Sequence, residues 1–101
     1  MRAVVVGAGS WGSAFAGLLR DRGHEGTLAA RDPDQVAAIR ETGRNPRYVP
    51  TADLTGVDAA TVAEAPVEAA ELVVVAVPSR VFGEVVGSLP GTAPLLSLTK
   101  G

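Results

Sequence analysis

Short apolar runs alternate along this chain with stretches whose apolar residues repeat at helical spacing. The short runs are rich in valine, alanine and leucine, and such runs predict β-strands. One of them is apolar on both faces, which is typical of a central strand in a parallel sheet covered by helices on both sides. That run is Leu72–Val77, and the other predicted strands are Ala3–Val6, a weaker Thr27–Ala30, Ala59–Val62 and Leu95–Leu98.

The first predicted helix follows the first strand. Its apolar residues at helical spacing are Trp11, Ala14, Phe15, Leu18 and Leu19. We interpret Phe15, Leu18 and Leu19 as core residues. For Trp11, core packing and contact with a ligand at the preceding turn both stay open. Gly23 is well placed to end this helix.

Two more helices complete the alternation. Asp32 as N-cap and Pro33 at the first helical position predict a second helix that ends before Gly43. Apolar residues between 81 and 89 predict the third, with Ser79 as a candidate cap. Strands alternating with helices indicate an α/β fold with a doubly wound parallel sheet, a Rossmann fold, in the order 3-2-1-4-5 and truncated after the fifth strand.

A glycine-rich turn joins the first strand to the first helix. It reads Gly7-Ala8-Gly9-Ser10-Trp11-Gly12, with the spacing G-x-G-x-x-G. In a dinucleotide-binding turn the first glycine permits the sharp bend, the second lets the backbone approach the pyrophosphate, and the third lets the helix pack close to the strand. The free N–H groups and the positive end of the helix dipole then attract the phosphates. This turn therefore predicts a nucleotide site.

Other candidate residues are predicted at the same edge of the sheet. Ligands of doubly wound sheets bind beyond the carboxyl ends of the strands. Gly7, Arg31, Pro78-Ser79 and Thr99-Lys100 each follow a predicted strand. His24 instead precedes the second strand, so we interpret it as structural or exposed at the opposite edge. Four positions thus converge on one site.

The end of the second strand bears on the choice of cofactor. There an acidic residue binds a ribose 2′-hydroxyl, whereas an arginine accommodates a 2′-phosphate. The chain has both, Arg31 and Asp32. Asp32 already has a sufficient role as a helix cap. The sequence therefore predicts NADPH or NADH as cofactor and favours NADP.

The loop Gly43–Pro50 has two open interpretations. It is either a solvated connection or, through its positive charge, an aid to phosphate binding.

Composition narrows the class of protein. The chain has 101 residues, a net charge of −2 and no cysteine, which excludes disulfides and thiolate metal sites and suits a cytoplasmic location. We expect no metal site, and the charge gives no reason to expect nucleic-acid binding. No apolar run approaches the ~18 residues of a membrane span, and the glycines interrupt any resemblance to a secretion signal.

Several segments together resemble one enzyme family. The chain is similar to the N-terminal, cofactor-binding part of bacterial-type NAD(P)-dependent glycerol-3-phosphate dehydrogenase. The resemblance covers essentially the whole chain, and the ordered set of segments is more specific than the glycine motif alone. The segments are GAGSWGSAFA at 7–16, GHEGTLAARD at 23–32, NPRYVP at 45–50, AVPSRVF at 76–82 and LSLTKG at 96–101.

The resemblance implies an activity and a set of contacts. The family reduces dihydroxyacetone phosphate to sn-glycerol 3-phosphate with NADPH or NADH, and catalyses the reverse, supplying the phospholipid backbone. By motif, Ser10 and Trp11 contact the pyrophosphate region of the cofactor, and Arg31 and Tyr48 are further cofactor contacts. Lys100 reaches both cofactor and substrate, as suits a compact ammonium group at a strand end.

The resemblance also implies that residues 1–101 form an incomplete NAD(P)-binding domain. The family's general acid/base lysine and most substrate contacts lie in a C-terminal helical domain, through which an oligomer is possible. We therefore expect no catalytic residue in this chain and no turnover by it alone. Two alternatives stay open, a non-catalytic NAD(P)-binding module and a related β-hydroxyacid-type dehydrogenase with another substrate. The terminal Thr99-Lys100-Gly101 argues against the second alternative.

Overall fold

Strands and helices alternate in the computed structural model, which describes residues 1–45, 53–77, 79–89, 91 and 94–97. The described residues form five strands and three helices. In chain order these are β1 (Arg2–Val6), α1 (Ser10–Asp21), β2 (Glu25–Ala30), α2 (Pro33–Thr42), β3 (Asp58–Thr61), β4 (Leu72–Val75), α3 (Ser79–Ser88) and β5 (Leu95–Ser97).

The strands form one parallel sheet in the order β3-β2-β1-β4-β5. This confirms the predicted fold class and strand order. Val6, at the end of β1, is aligned with Ala29 on one side and Val75 on the other. The carboxyl ends of these three strands therefore share one edge. The strand order reverses between β1 and β4, which is the switch point where such sheets bind ligands.

Helices cover both faces of the sheet. On one face, Ala16 and Leu19 of α1 and Val36 and Ile39 of α2 pack on residues that include Val5. On the other face, Val4 and Val6 of β1 and Val73 and Val75 of β4 form a cluster with Val85 of α3. Side chains of one strand point alternately to the two faces, so both faces of β1 and β4 are buried. This is the doubly wound arrangement that the apolar runs predict.

The second strand is longer than its sequence predicts. It begins at Glu25 and pairs with β1 from Glu25 to Ala29. A Cβ added at Gly26 would lie 4.0 Å from the Ala16 carbonyl oxygen, so small residues let α1 lie close to β2.

The bounds of β4 also differ from the prediction, since this strand ends at Val75, two residues before the predicted end. Leu98, predicted to end the fifth strand, lies outside the described residues.

The buried side of α1 differs from the prediction. Leu18 was expected in the core, but it is 48% exposed. The buried residues of the helix are Gly12, Ser13, Ala16 and Leu19. Three of these four residues are small, which lets the N-terminal part of α1 lie close to the sheet, and Leu19 is the one large side chain among them. Phe15 is partly buried and packs against the core, which agrees with the prediction, whereas Leu18 lies on the more exposed side of the helix.

Candidate functional site

Backbone hydrogen bonds continue the sheet up to the start of the glycine turn. The Gly7 N–H donates to the Ala29 carbonyl at 2.9 Å, and the Ala76 N–H donates to the Val6 carbonyl at 2.8 Å. Gly7 has a φ of 113°, a region that L side chains rarely adopt. A Cβ added at Gly7 would also collide with the Ala76 carbonyl. Glycine is therefore required here by both conformation and space.

The other two glycines of the turn differ sharply in their surroundings. A Cβ added at Gly12 would collide with the carbonyl oxygen of Gly7, so the first turn of α1 packs on the glycine turn itself. The prediction placed this close contact against the strand, and the structure moves it to the turn. At Gly9 an added Cβ would meet nothing within 4 Å. The space beside Gly9 is therefore open.

The N-terminus of α1 lies at this open position. Its N-cap is Gly9, no side chain caps the helix, and its first turn contains no acidic residue. The first helical hydrogen bond runs from the Ser13 N–H to the Gly9 carbonyl at 3.0 Å. The N-cap thus provides no side-chain acceptor for the first N–H groups of the helix, and no carboxylate of the first turn offsets the positive end of the dipole. An anion fits this position.

Ser10 and Trp11 lie in this first turn and are exposed. Trp11 is 60% exposed, which excludes core packing as its role. Of the two interpretations of Trp11, contact with a ligand at the turn is the one that its exposure permits. The exposed indole also gives a spectroscopic probe next to Gly9, since it is the only tryptophan of the chain.

Arg31 and Asp32 follow β2 at the same edge of the sheet. The Asp32 carboxylate accepts a hydrogen bond from the Asp34 N–H at 2.8 Å, and Pro33 holds the first helical position. The predicted capping role of Asp32 is confirmed. Arg31 is exposed beside it. The arginine therefore adds positive charge to the ligand-binding edge, while the aspartate is already engaged with its own helix.

A buried polar cluster behind the turn was not anticipated from the sequence. Its members are Ser13 of α1, Gln35 of α2 and Asn45, whose exposures are 0%, 7% and 0%. Gln35 Nε2 and Asn45 Nδ2 both donate to the carbonyl oxygen of Ala8, at 3.0 and 2.8 Å. Gln35 Nε2 also donates to Asn45 Oδ1, and Asn45 Nδ2 donates to Ser13 Oγ, both at 3.0 Å.

At Asn45 this cluster contradicts the interpretation of the loop Gly43–Pro50 as a solvated connection; Arg44 is exposed, and residues 46–50 lie outside the described residues. Asn45 is fully buried because its amide bridges α1, α2 and the glycine turn. A polar residue at a core-facing helical position is the one sequence signal for such a cluster, and Ser13, next to Gly12 on the buried side of α1, provides it. The partner Asn45 is 32 residues away along the chain, so no local pattern identifies it.

Several predicted site residues lie outside the described residues. These are Tyr48, Pro78, Thr99 and Lys100, and for Ser79 only the backbone is described. His24 precedes β2, where its Nδ1 is 3.3 Å from the N-terminal amine. That places it at the opposite end of the strands from Gly7. Gly7, Gly9, Ser10, Trp11, Gly12 and Arg31 are thus the predicted site residues that the structure brings to one edge.

Other polar features lie away from this edge. Hydrogen bonds from the Thr55 side chain and backbone hold the pKa of Asp53 below its ordinary value of 3.8. The Asp53 carbonyl accepts from Arg20 near the C-terminal end of α1, so this loop is remote from Gly9. A groove of about 670 Å³ runs past β3 and the end of α2 without including the glycine turn.

In the described part of the chain, no helix is long and apolar enough to cross a membrane. Likewise, no group of three or more histidine, cysteine, aspartate or glutamate side chains within it could hold a metal ion.

Comparison with known proteins identifies the family. Residues 2–101 match the family model described as NAD-dependent glycerol-3-phosphate dehydrogenase N-terminus. The chain belongs to this family. It is 45% identical to glycerol-3-phosphate dehydrogenase [NAD(P)+] of Nocardia farcinica, an alignment that covers 99% of the chain and 32% of the relative. The chain thus spans about a third of the length of this relative.

Solved structures agree with this assignment. The glycerol-3-phosphate dehydrogenase of Coxiella burnetii is similar with a TM-score of 0.86 and 28% identity, over 99% of this chain and 32% of that one. A PanE/ApbA family ketopantoate reductase from Ralstonia eutropha has a TM-score of 0.75 and 29% identity, over 100% of this chain and 35% of that one. The fold is therefore shared by reductases whose names differ in substrate.

Proposed function

We propose that residues 1–101 form the cofactor-binding part of an oxidoreductase that transfers a hydride between NAD(P)H and dihydroxyacetone phosphate or sn-glycerol 3-phosphate. The observation that carries this proposal is the N-terminus of α1. It lacks a side-chain cap and an acidic first turn, it has open space at Gly9, and it stands at the switch point of the sheet. These are the properties that a pyrophosphate group requires of its site.

The residues at this edge have separate roles in the proposal. The N–H groups of Gly9 and Ser10 bind the pyrophosphate, with Trp11 beside it, while Gly7 and Gly12 allow the turn to form. Arg31 contributes positive charge where the ribose is held, which favours NADPH over NADH. Tyr48 and Lys100 stay predictions as further cofactor contacts, and Lys100 as a substrate contact, because both lie outside the described residues.

The nicotinamide cofactor supplies the hydride in this chemistry. The part of this chain is to bind the pyrophosphate, orient the dinucleotide along the strand ends and, at Lys100, hold a phosphate or polarise a carbonyl oxygen. We assign no general acid or base to these 101 residues. We expect the chain alone to bind cofactor without turning over substrate, and residues of the longer relatives beyond this region to provide the proton transfer and most substrate contacts.

Two other functions compete with this one. A non-catalytic NAD(P)-binding module would use the same turn, and a related β-hydroxyacid-type dehydrogenase would use the same fold with another substrate. The family match favours the glycerol-3-phosphate dehydrogenase. We further propose a small phosphorylated substrate as the partner, a cytoplasmic location, and oligomer formation, if any, through the additional domain of the relatives.

Titration with NADPH and NADH tests cofactor binding by this chain. We expect each to change the fluorescence of Trp11, with tighter binding of NADPH. Circular dichroism on the same samples verifies that the chain is folded. A folded chain whose fluorescence responds to neither nucleotide, and that shows no binding by calorimetry, would overturn the assignment. Tighter binding of NADH would reverse the role given to Arg31 while leaving the site in place.

The substrate is tested in the complete enzyme that carries this domain. We expect oxidation of NADPH with dihydroxyacetone phosphate and little with ketopantoate, and we expect Lys100→Ala to raise KM for the ketone or lower kcat. Unchanged kinetics in Lys100→Ala would remove Lys100 from the site. Preference for ketopantoate would instead support the related-dehydrogenase alternative.

A further inference from the structure

The buried amides of Gln35 and Asn45 converge on one backbone atom of the glycine turn, the carbonyl oxygen of Ala8. We propose that these two side chains are positioning residues that set the orientation of the Ala8–Gly9 peptide and thereby aim the Gly9 N–H at the pyrophosphate. This inference rests on the proposed function, since it concerns how that site is built. It assigns a role to two residues that the sequence left without one.

The geometry of the peptide unit connects the two sides of the turn. A trans peptide is planar, and its C=O and N–H point in opposite directions; the described residues contain no cis peptide bond. Fixing the Ala8 carbonyl toward the buried amides therefore fixes the Gly9 N–H away from them. Within the described residues the Gly9 N–H donates to no protein group. It is thus available to an anion.

The orientation needs this support because glycine does not provide it. With Gly7 before it and Gly9 within it, the segment has unusually free backbone torsions, and the Ala8–Gly9 peptide could rotate. Two donors on one carbonyl oppose that rotation. The Asn45 amide is in turn oriented by Ser13 Oγ, which accepts from the same nitrogen that donates to Ala8. The three side chains therefore form a support for one peptide plane.

The test replaces donors without changing shape. Asn45→Asp and, separately, Gln35→Glu place an oxygen where an N–H now faces the Ala8 carbonyl. We expect each variant to bind NADH about tenfold more weakly, as loss of a charge-assisted hydrogen bond predicts. In the ¹⁵N-labelled wild-type chain we expect the Gly9 amide proton to shift downfield on NADH binding, and we expect this shift to be lost in the variants.

An intermediate variant and a control separate positioning from stability. Ser13→Ala keeps both donors to Ala8 but removes the acceptor that orients Asn45, so we expect a smaller loss of NADH affinity than in Asn45→Asp, about threefold, as for one neutral hydrogen bond. Leu54→Ala, at a buried position (1% exposed) outside the cluster, lowers the melting temperature but should leave the affinity and the Gly9 shift unchanged. All titrations are run at a temperature where circular dichroism shows a folded chain.

The outcomes are distinguishable. If wild type does not bind NADH, the proposed function fails first. If wild type binds NADH without any change at the Gly9 amide, the site stands and the positioning role is overturned, whether or not the variants fold. A folded Asn45→Asp or Gln35→Glu chain with wild-type affinity and a wild-type Gly9 shift overturns it as well. Weaker binding in Leu54→Ala equal to that in Asn45→Asp would assign the effect to stability alone.

Discussion

The helices α1 and α2 begin at the same edge of the sheet, yet their N-termini are built in opposite ways. In α2, Asp32 caps the backbone, Pro33 holds the first position and Asp34 adds negative charge in the first turn. In α1 the N-cap is Gly9, without a side-chain cap or an acidic residue. Side chains of the protein complete the N-terminus of α2, whereas the N-terminus of α1, where we propose that the pyrophosphate binds, has no such side chains.

The proposed binding site lacks a stabilising contact that α2 has. A side-chain cap contributes about 1 kcal/mol, and α1 lacks one. In its place the chain has three glycines and a buried cluster of amides behind the turn. These buried side chains lie behind the turn and leave the space beside Gly9 open. The following substitutions test this division, from the largest expected effect to the smallest.

Gly12→Ala should destabilise the fold most. Its Cβ would collide with the Gly7 carbonyl oxygen, a backbone atom that cannot move aside without shifting the turn. We expect the free energy of unfolding to fall by about 3 kcal/mol, with loss of NADH binding. Urea denaturation followed by circular dichroism measures this. Wild-type stability in this variant would contradict the close packing of α1 on the turn.

Gly9→Ala is the matched comparison, since it adds the same methyl group three residues before Gly12. Nothing lies within 4 Å of the added Cβ, so the free energy of unfolding should change by no more than about 1 kcal/mol. The methyl group would instead occupy the space assigned to the pyrophosphate. We expect NADH affinity to fall at least about tenfold, roughly 1.4 kcal/mol. Calorimetric titration measures the affinity; an unchanged value would place the phosphates elsewhere.

Asp32→Ala should do the reverse at α2. Removing the cap leaves the Asp34 N–H without its acceptor and should lower the free energy of unfolding by about 1 kcal/mol. Because the carboxylate is engaged with its own helix, we expect NADH affinity to stay within about twofold. A large loss of NADH affinity with unchanged stability would make Asp32 a ribose ligand.

Arg31→Gln should have the smallest effect. Arg31 is exposed at the end of β2, so its interaction with a 2′-phosphate is partly screened by solvent. We expect NADPH affinity to fall about fivefold and NADH affinity to be unchanged, with the difference shrinking at high salt. Parallel titrations with both nucleotides at two ionic strengths check this. Equal loss for both nucleotides would indicate a role at the shared pyrophosphate.

The fold was largely predictable because its signals are local. The valine run of β4 is apolar on both faces and is buried on both, and the Asp32-Pro33 start of α2 was read from two adjacent residues. The spacing of Gly7, Gly9 and Gly12 likewise located the turn correctly. Each of these features depends on backbone conformation or burial within a few residues, which periodicity and turn chemistry report well.

What the sequence did not reveal depends on distant contacts. Leu18 fits the helical period of α1 but lies on its flank, because the close approach of α1 to the sheet was not visible from α1 alone. Asn45 looked like part of a solvated loop, although its amide is buried against Ser13 and Ala8. No local pattern shows which polar residue of a loop will meet a helix 32 positions earlier. A single arginine at the end of β2 also does not fix the choice between NADPH and NADH.

The hydrogen bond from the Gly7 N–H to the Ala29 carbonyl extends the β1–β2 pairing into the turn. The turn is therefore held by two strands in the interior of the sheet before any ligand arrives. A ligand that binds a site already in its final shape loses less conformational entropy on association than one that must order a loose loop. We accordingly expect the phosphate subsite to contribute to affinity without an entropic cost of folding the turn.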